Sequence, residues 1–187
     1  LLTPSEREQL NFYCELKIDG LAIELEYENG IFLRGSTRGD GVIGEDITQN
    51  LKTVQAIPLR LNAMQIYKSH ANLQIANTLV VRGEVFISKK EFARMNEIQK
   101  KMGLALYANP RNVAAGSVRQ LDPAITAARK LDSFAYDIIG ESGAATHEKK
   151  HDILKDLGFK TNAHNKYCKN LDEVYDFYQH CIKTREK

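Results

Sequence analysis

The sequence predicts an α+β fold in which helices pack on mainly antiparallel sheets. Two observations support this class. Apolar and polar residues alternate with a period of two along several short stretches, which is typical of half-buried strands. Other stretches repeat apolar residues at helical spacing, and one of them begins with a Ser-x-x-Glu capping box at Ser88.

The first element is a strand over residues 14–20, which carries the most informative side chains. Its alternation places Glu15, Lys17 and Asp19 on one face and apolar residues on the other. A lysine held outward in this way is the arrangement expected of an amine nucleophile, which must be positioned and deprotonated before it attacks. Gly20 then allows the backbone to turn and a bulky ligand to approach. A strand with a solvated polar face is the alternative.

A β-hairpin comes next. Residues 21–27 alternate as a half-buried strand, Asn29-Gly30 is a strong turn signal, and residues 31–36 return antiparallel. We expect Glu45-Asp46 to open a short helix that runs to about Thr53, because acidic residues are favoured at a helix N-terminus.

The second half of the chain contains two more strands and several helices. After an irregular loop at 62–77, we predict a strand at 79–87, a helix from Ser88 to about Met102, a helix at 112–120, a strand at 131–139 and a helix at 146–157 that Gly158 closes. The last helix is amphipathic, with apolar residues at Leu171, Val174, Tyr175, Tyr178 and Ile182.

Length and composition fit one globular domain, with 187 residues of which 43% are hydrophobic and 27% charged. The net charge is only +2, so any contact with nucleic acid must come from a local patch. The three cysteines are widely separated, which argues against a zinc site or a disulfide framework and fits a reducing cytoplasm. No apolar run approaches the roughly 20 residues of a membrane span, so we expect no membrane contact.

Four motifs together resemble one family. They are K-x-D-G within residues 14–20, T-R-G-D-G at 37–41, R-G-E-V-F at 82–86, and N-P-R-N with the A-A-G-S and R-Q-L-D strings at 109–122. In this order the four motifs resemble those of the adenylation domain of bacterial NAD-dependent DNA ligases. The resemblance extends from about residue 12 to residue 187. ATP-dependent ligases, RNA ligases and capping enzymes share K-x-D-G, whereas the second and fourth motifs are specific to the NAD-dependent branch.

The resemblance implies a nucleotidyltransferase fold, C-terminally incomplete, and a first chemical step. In that step Lys17 attacks the α-phosphate of NAD, with Mg²⁺ as cofactor, and forms a lysine–AMP intermediate that is used to seal DNA nicks. Asp19 is expected to orient the amine or assist the metal, and no protein side chain is assigned as a metal ligand. Glu15 suits the adenine amino group or the ribose, and Arg38 is expected to lie against a phosphate or sugar of the cofactor.

The remaining site residues follow from the same resemblance. The glutamate that matches Glu84 contacts the ribose hydroxyls, and an ion pair with Arg82 is the structural alternative. The arginines that match Arg111 and Arg119 are tied to the DNA 5′-phosphate and the adenylated intermediate, and plain surface arginines are the alternative. The expected partner is nicked double-stranded DNA, bound by a monomer.

Two further patterns match the signatures of other sites, a zinc-protease helix and a dinucleotide-binding loop. His147 and His151 satisfy H-E-x-x-H, the zinc-protease helix signature, but two lysines lie between them. We therefore interpret the segment as a solvated polar helix and expect it not to bind zinc tightly. Gly39, Gly41 and Gly44 satisfy G-x-G-x-x-G, but a hairpin strand precedes them and no acidic residue follows about 20 positions later. We expect these glycines to form a tight loop that holds Arg38.

We expect residues 1–187 to be the core of an adenylation domain within a longer protein. The chain starts without methionine and lacks the family's N-terminal nicotinamide-recognition segment, its last adenylation motifs and its OB-fold, zinc-finger, helix-hairpin-helix and BRCT regions. Alone it should be weak or inactive. The alternatives are a non-catalytic, truncated nucleotide-binding remnant and an ATP-using nucleotidyltransferase.

Overall fold

In the computed structural model, the structure describes Thr3 and residues 10–62, 78–140 and 142–185. The strands there are β1 (Phe12–Cys14), β2 (Leu21–Glu28), β3 (Ile31–Thr37), β4 (Thr78–Phe86), β5 (Asp132–Ile139) and β6 (Lys166–Cys168). The helices are α1 (Thr48–Leu51), α2 (Lys89–Lys101), α3 (Pro110–Val118), α4 (Pro123–Ala128), α5 (His147–Asp156) and α6 (Leu171–Thr184). The chain forms two compact units, Ile18–Thr161 and Leu1–Lys17 with Asn162–Lys187.

The larger unit is organised by a four-stranded antiparallel sheet in the order β3-β2-β4-β5. The hairpin between β2 and β3 is confirmed, and Asn29 and Gly30 both have positive φ, 49° and 76°. Two positive φ angles in a two-residue loop give the turn twist that matches the twist of the flanking strands.

The core of the larger unit lies against one face of this sheet. Ile23, Leu25 and Tyr27 alternate inward from β2 and are at most 1% exposed, as the period-two pattern predicts. The hydroxyl of Tyr27 donates to the carbonyl of Pro58 at 2.8 Å, so this buried phenol keeps a hydrogen-bond partner. Helix α3 packs on β2 and β4, and α5 packs on β5.

Local signals place most helices correctly. The hydroxyl of Ser88 caps α2 by accepting from the Glu91 N–H, but the reciprocal half of the predicted capping box is missing because the Glu91 carboxylate pairs with Arg94. Helix α3 begins two residues before its predicted start, because the Asn109 side chain caps it and Pro110 occupies its first turn. Helix α5 lies within its predicted range.

Two predictions about local structure are wrong, and one helix was missed. The strand predicted over residues 14–20 ends at Cys14. Cys14 pairs with Lys166, the first residue of β6, so β6 has no residue left to pair with residues 15–20. The helix expected to begin at Glu45-Asp46 begins only at Thr48, because Asp46 bridges to β3 and its carboxylate accepts from the N–H and hydroxyl of Thr48. Helix α4, with Asp122 as its cap, was not predicted. Most of the predicted loop at 62–77 lies outside the described residues.

The smaller unit combines β1, β6 and α6. Strands β1 and β6 pair antiparallel over three residues each, and α6 packs against both. Helix α6 forms as predicted, with the Asn170 side chain as its cap, yet it has no fully buried residue. Its apolar residues Leu171, Tyr175, Tyr178 and Ile182 are all exposed. Among the described residues, no helix combines the length and apolarity that a bilayer crossing needs.

Candidate active site

Lys17 is an exposed residue within the segment that joins β1 to β2. Although residues 15–19 form no strand, exposure still alternates as predicted, with Glu15, Lys17 and Asp19 outward and Leu16 half-buried. Within the smaller unit, Lys17 lines an open cavity of about 1360 Å³, which Cys181 of α6 also lines.

Glu15 belongs to the same unit and has a protein partner. Its Oε1 accepts a hydrogen bond from Nδ2 of Asn165 at 3.1 Å. Asn165 is the residue before β6, at the point where strand pairing with β1 stops. A side-chain contact therefore replaces the next backbone pair and holds the start of the lysine motif against the start of β6.

In the larger unit, Asp19 forms an ion pair with Arg111. Nη1 of Arg111 lies 3.3 Å from Oδ1 of Asp19, and the two side chains are 56% and 69% exposed. Arg111 occupies the first turn of α3, where Asn109 and Pro110 fix the start of the helix. The pair joins two motifs that are 92 residues apart in the sequence.

Gly20 is docked on β4. Its N–H donates to Oε1 of Glu84 at 3.1 Å, and Glu84 is only 9% exposed. A Cβ atom at Gly20 would lie 2.2 Å from the carbonyl oxygen of Val85. The prediction that Gly20 leaves room for a bulky ligand is therefore wrong, because the backbone of β4 already fills that space.

The alternative partner proposed for Glu84 is also wrong. Arg82 pairs with Glu24 across the β2–β4 ladder, with Nε of Arg82 2.7 Å from Oε1 of Glu24. This bond raises the pKa of Arg82 above its usual value. Glu84 instead directs a carboxylate oxygen at the backbone of the K-x-D-G motif.

Tyr136 of β5 is a site residue that the motifs did not reveal. Its ring is half-buried, and burial followed by the charge of Glu84 raises the pKa of its phenol, while Arg82 and Arg38 act in the opposite direction. Two of the charges that act on this phenol belong to Glu84 and Arg38, which makes Tyr136 a candidate site residue. The sequence signal was an aromatic residue on a predicted strand, which by itself also fits core packing.

Arg38 begins a tight loop, as the glycines predict. Its N–H donates to the carbonyl of Ala22 at 3.1 Å, and its carbonyl accepts from the Gly41 N–H at 3.0 Å. A Cβ atom at Gly39 would lie 1.7 Å from the carbonyl oxygen of Ile43, and Gly39 has a φ of 54°, so glycine is required there. The loop fixes the backbone of Arg38 and leaves its side chain exposed.

Arg119 follows the last residue of α3. Its Nε is hydrogen-bonded to a carboxylate oxygen of Glu45, which joins the start of the R-Q-L-D motif to the loop after T-R-G-D-G. A second link lies nearby, since Nδ2 of Asn50 donates to the carbonyl of Gln120 at 2.8 Å. Arg111 and Arg119 thus lie at opposite ends of one helix, each paired with a carboxylate.

The H-E-x-x-H helix differs from its predicted character. His147 and His151 do face each other on α5, with ring centroids 5.0 Å apart. His151 is 1% exposed, however, and Ile153 and Leu154 are buried beside it, so the prediction of a solvated polar helix is wrong. The prediction that this pair does not bind zinc remains untested.

The chain is an α+β domain with an exposed lysine in a K-x-D-G motif, and the glycine of that motif is hydrogen-bonded to a buried carboxylate. These features define a class, the covalent nucleotidyltransferases. Comparison with known proteins narrows the class to a family. The sequence model of one protein family, the NAD-dependent DNA ligase adenylation domain, matches residues 3–187. The chain belongs to this family.

Curated relatives agree with the family match. The chain is 50% identical over 171 residues to a DNA ligase of Acetivibrio thermocellus, a match that covers 90% of the chain and 24% of that relative. It is 47% identical over 181 residues to a DNA ligase of Lysinibacillus sphaericus, covering 95% of the chain and 25% of the relative. A DNA ligase of Listeria innocua is 46% identical over 180 residues, with the same two coverages. The chain therefore spans about a quarter of the length of these relatives.

Proposed function

We propose that this chain carries the first chemical step of an NAD-dependent DNA ligase, in which Lys17 accepts AMP from NAD. The supporting observation is the family match over residues 3–187, which includes an exposed lysine in the K-x-D-G motif. The amine of Lys17 forms a P–N bond to the α-phosphorus, and the bond from phosphorus to nicotinamide mononucleotide breaks. AMP then passes to the 5′-phosphate of a DNA nick, and the 3′-hydroxyl displaces it.

Nucleophilic attack requires the neutral amine of Lys17. We assign Arg38 and Arg111 to the phosphate of the nucleotide, with Arg38 exposed and Arg111 tied to Asp19. Their positive charges would stabilise the negative charge that develops on the transferring phosphate. Asp19 orients the segment through Arg111, which suits a positioning role better than that of a general base.

We assign the nucleotide to the polar face of the sheet in the larger unit. Glu84 supplies a carboxylate acceptor for ribose hydroxyls, and Tyr136 supplies an aromatic face on which a base can stack. Glu15, which belongs to the smaller unit, is the candidate acceptor for the adenine amino group.

One side chain of the candidate site, Asp19, suits a magnesium ion. Asp19 presents a carboxylate that is 69% exposed, and Mg²⁺ typically binds through one or two carboxylates while it keeps several waters and substrate phosphate oxygens. When bound, the ion would neutralise phosphate charge. Asp19 is the residue that would hold it.

Nicked double-stranded DNA is the proposed second substrate, with Arg111 and Arg119 as contacts to its phosphates. Both guanidinium groups lie at ends of α3 and are about half exposed. Their planar donors suit bidentate phosphate binding. We further expect the protein to act in the cytoplasm, as a monomer, in DNA replication and repair.

The test compares two AMP donors. A protein of the relatives' full length that contains this chain is incubated with Mg²⁺ and either NAD or ATP labelled in the adenine, then denatured and assayed for bound label. We expect label from NAD and little from ATP. Labelling from ATP alone would establish an ATP-using nucleotidyltransferase, and labelling from neither would leave a non-catalytic remnant.

A further inference from the structure

The contact between Gly20 and Glu84 has no role in the chemistry described above. It joins the end of the K-x-D-G motif to the middle of β4, 64 residues later in the sequence. The donor is a backbone N–H and the acceptor is a buried carboxylate oxygen. Next to this bond, the α-carbon of Gly20 approaches the carbonyl oxygen of Val85 so closely that no side chain fits between them.

We propose that Glu84 and Gly20 form a latch that fixes the nucleophile's segment on β4, so that Glu84 is a positioning residue for Lys17 independently of any contact with the nucleotide. The inference rests on the proposed function. The latch consists of the Gly20 N–H···Glu84 hydrogen bond and the close approach of Gly20 to Val85.

The need for a latch follows from the local structure. Strand pairing of β1 stops at Cys14, and β2 begins at Leu21, so residues 15–20 have no ladder to hold them. Only Ile18 and Asp19 separate Lys17 from Gly20. Fixing Gly20 therefore limits the directions in which the chain can extend back to Lys17. Attack on phosphorus requires close alignment, and a misplacement of about 1 Å can lower a rate on the order of a hundredfold.

The chemistry of the pair favours permanent engagement. A buried carboxylate needs hydrogen-bond donors, and a bond from a backbone N–H to a charged acceptor is among the stronger ones. The Gly20 N–H is one such donor to Glu84. Glycine suits this contact, since a Cβ atom at position 20 would lie 2.2 Å from the carbonyl oxygen of Val85.

The test separates positioning from nucleotide binding. In the full-length protein, single-turnover adenylation is measured for Gly20→Ala, Glu84→Ala, Glu84→Gln and the double variant Gly20→Ala/Glu84→Ala, at saturating NAD and as a function of NAD concentration. We expect Gly20→Ala to lower the maximal rate on the order of a hundredfold with an unchanged half-saturating NAD concentration. Glu84→Gln should lose less of the maximal rate than Glu84→Ala, because its amide oxygen still accepts from the Gly20 N–H.

The double variant provides the second readout. If both residues act through one latch, it should be no slower than the slower single variant, because the two effects are not additive. Gly35→Ala is the control, because Gly35 lies on β3 of the same sheet and outside the latch. A Cβ atom there would lie 2.4 Å from the side chain of Leu51 in α1, so this variant also crowds a glycine. It should adenylate at the wild-type maximal rate. A wild-type maximal rate in Gly20→Ala, or losses that multiply in the double variant, would overturn the proposal.

Two measurements keep the test decisive if a variant misfolds or the activity is absent. Glu84→Asp, one methylene shorter, replaces Gly20→Ala if that variant does not melt cooperatively, and a wild-type maximal rate there would count against the latch. Hydrogen exchange of the Gly20 amide tests the latch without activity. Protection should persist in Glu84→Gln and disappear in Glu84→Ala, and equal protection in both would contradict it. A wild-type protein that is never labelled would refute the proposed function instead.

Discussion

Arg111 and Arg119, the two arginines assigned to DNA, each pair with a carboxylate in the nucleotide-free structure, Asp19 and Glu45. Exposed ion pairs contribute little to stability, with measured values near 0–1 kcal/mol. A phosphate dianion that offers bidentate contacts can therefore displace either carboxylate. In this arrangement the carboxylates hold the guanidinium groups in place until DNA arrives.

Replacing one of these arginines should change the salt dependence of DNA binding. The logarithm of the binding constant falls linearly with the logarithm of the salt concentration. Loss of one phosphate contact reduces the magnitude of this slope by about 0.9 for duplex DNA. We predict such a decrease for Arg111→Ala and for Arg119→Ala, measured with nicked duplex DNA and the full-length protein between low and moderate salt. Arg34→Ala is the matched control, because Arg34 is an exposed arginine that pairs with Glu26. An unchanged slope in both site variants would show that these arginines do not contact phosphate.

Asp40 gives the loop after Arg38 a predictable response to acid. Hydrogen bonds from the N–H groups of Ile43 and Val42 lower the pKa of its carboxyl below the usual 3.8. A lowered pKa means that the carboxylate stabilises the loop above pH 3.8 and that this contribution is lost as the pH falls through the lowered value. We predict that the amide shifts of Val42 and Ile43 titrate with a midpoint below 3.8, followed by NMR. Asp40→Asn should remove this titration, and a midpoint above 3.8 would contradict the assignment.

At the scale of elements, short-range signals predicted most of the fold. The hairpin at Asn29-Gly30 and the starts of α2 and α5 depend on turn and cap residues that act over a few positions, so the sequence reveals them. Residues 15–20 were wrongly predicted as strand, because polar and apolar residues alternate there although no partner strand is paired with them. Whether a partner exists opposite Glu15 depends on where β6 begins, which is 150 residues away and invisible to a local pattern.

Helices α5 and α6 have similar amphipathic patterns but different burial. Leu154 of α5 is fully buried, whereas Tyr175 of α6 is 61% exposed. We predict that Leu154→Ala lowers the free energy of unfolding of the chain by about 2–5 kcal/mol. Tyr175→Ala should stay within about 0.5 kcal/mol of the wild type. Denaturant unfolding of both variants checks this, and equal losses would show that the face of α6 is buried in solution.

At the scale of the whole molecule, the motifs predicted the candidate site residues well. They predicted the contacts between these residues less well. The sequence named Glu84 and Arg111, and the structure brings each to the K-x-D-G segment. It did not reveal Tyr136, because one aromatic residue in a strand carries no sign of the charges around it. Nor did it predict that Gly20 packs against Val85, since close backbone approach depends on the whole sheet.

The chain spans about a quarter of its relatives' length, and this predicts a difference between the chain alone and a longer protein. We expect the 187-residue chain to label slowly with NAD, because it spans only about a quarter of its relatives' length and the orientation of a leaving group contributes strongly to a rate. Extension to the relatives' length should raise the rate by orders of magnitude. Single-turnover labelling of both proteins provides the comparison, and equal rates would mean that residues 1–187 carry the step unaided.

The most direct measurement is the position of AMP on the protein. After incubation with NAD and Mg²⁺, the full-length protein is digested at neutral or alkaline pH, because P–N bonds are labile in acid, and the peptides are analysed by mass spectrometry. We predict that AMP is attached to the peptide that contains Lys17, and that Lys17→Ala and Lys17→Arg abolish the adduct, since arginine stays protonated and is not nucleophilic. AMP on another residue, or an adduct that persists in Lys17→Ala, would contradict the assignment of Lys17 as the nucleophile.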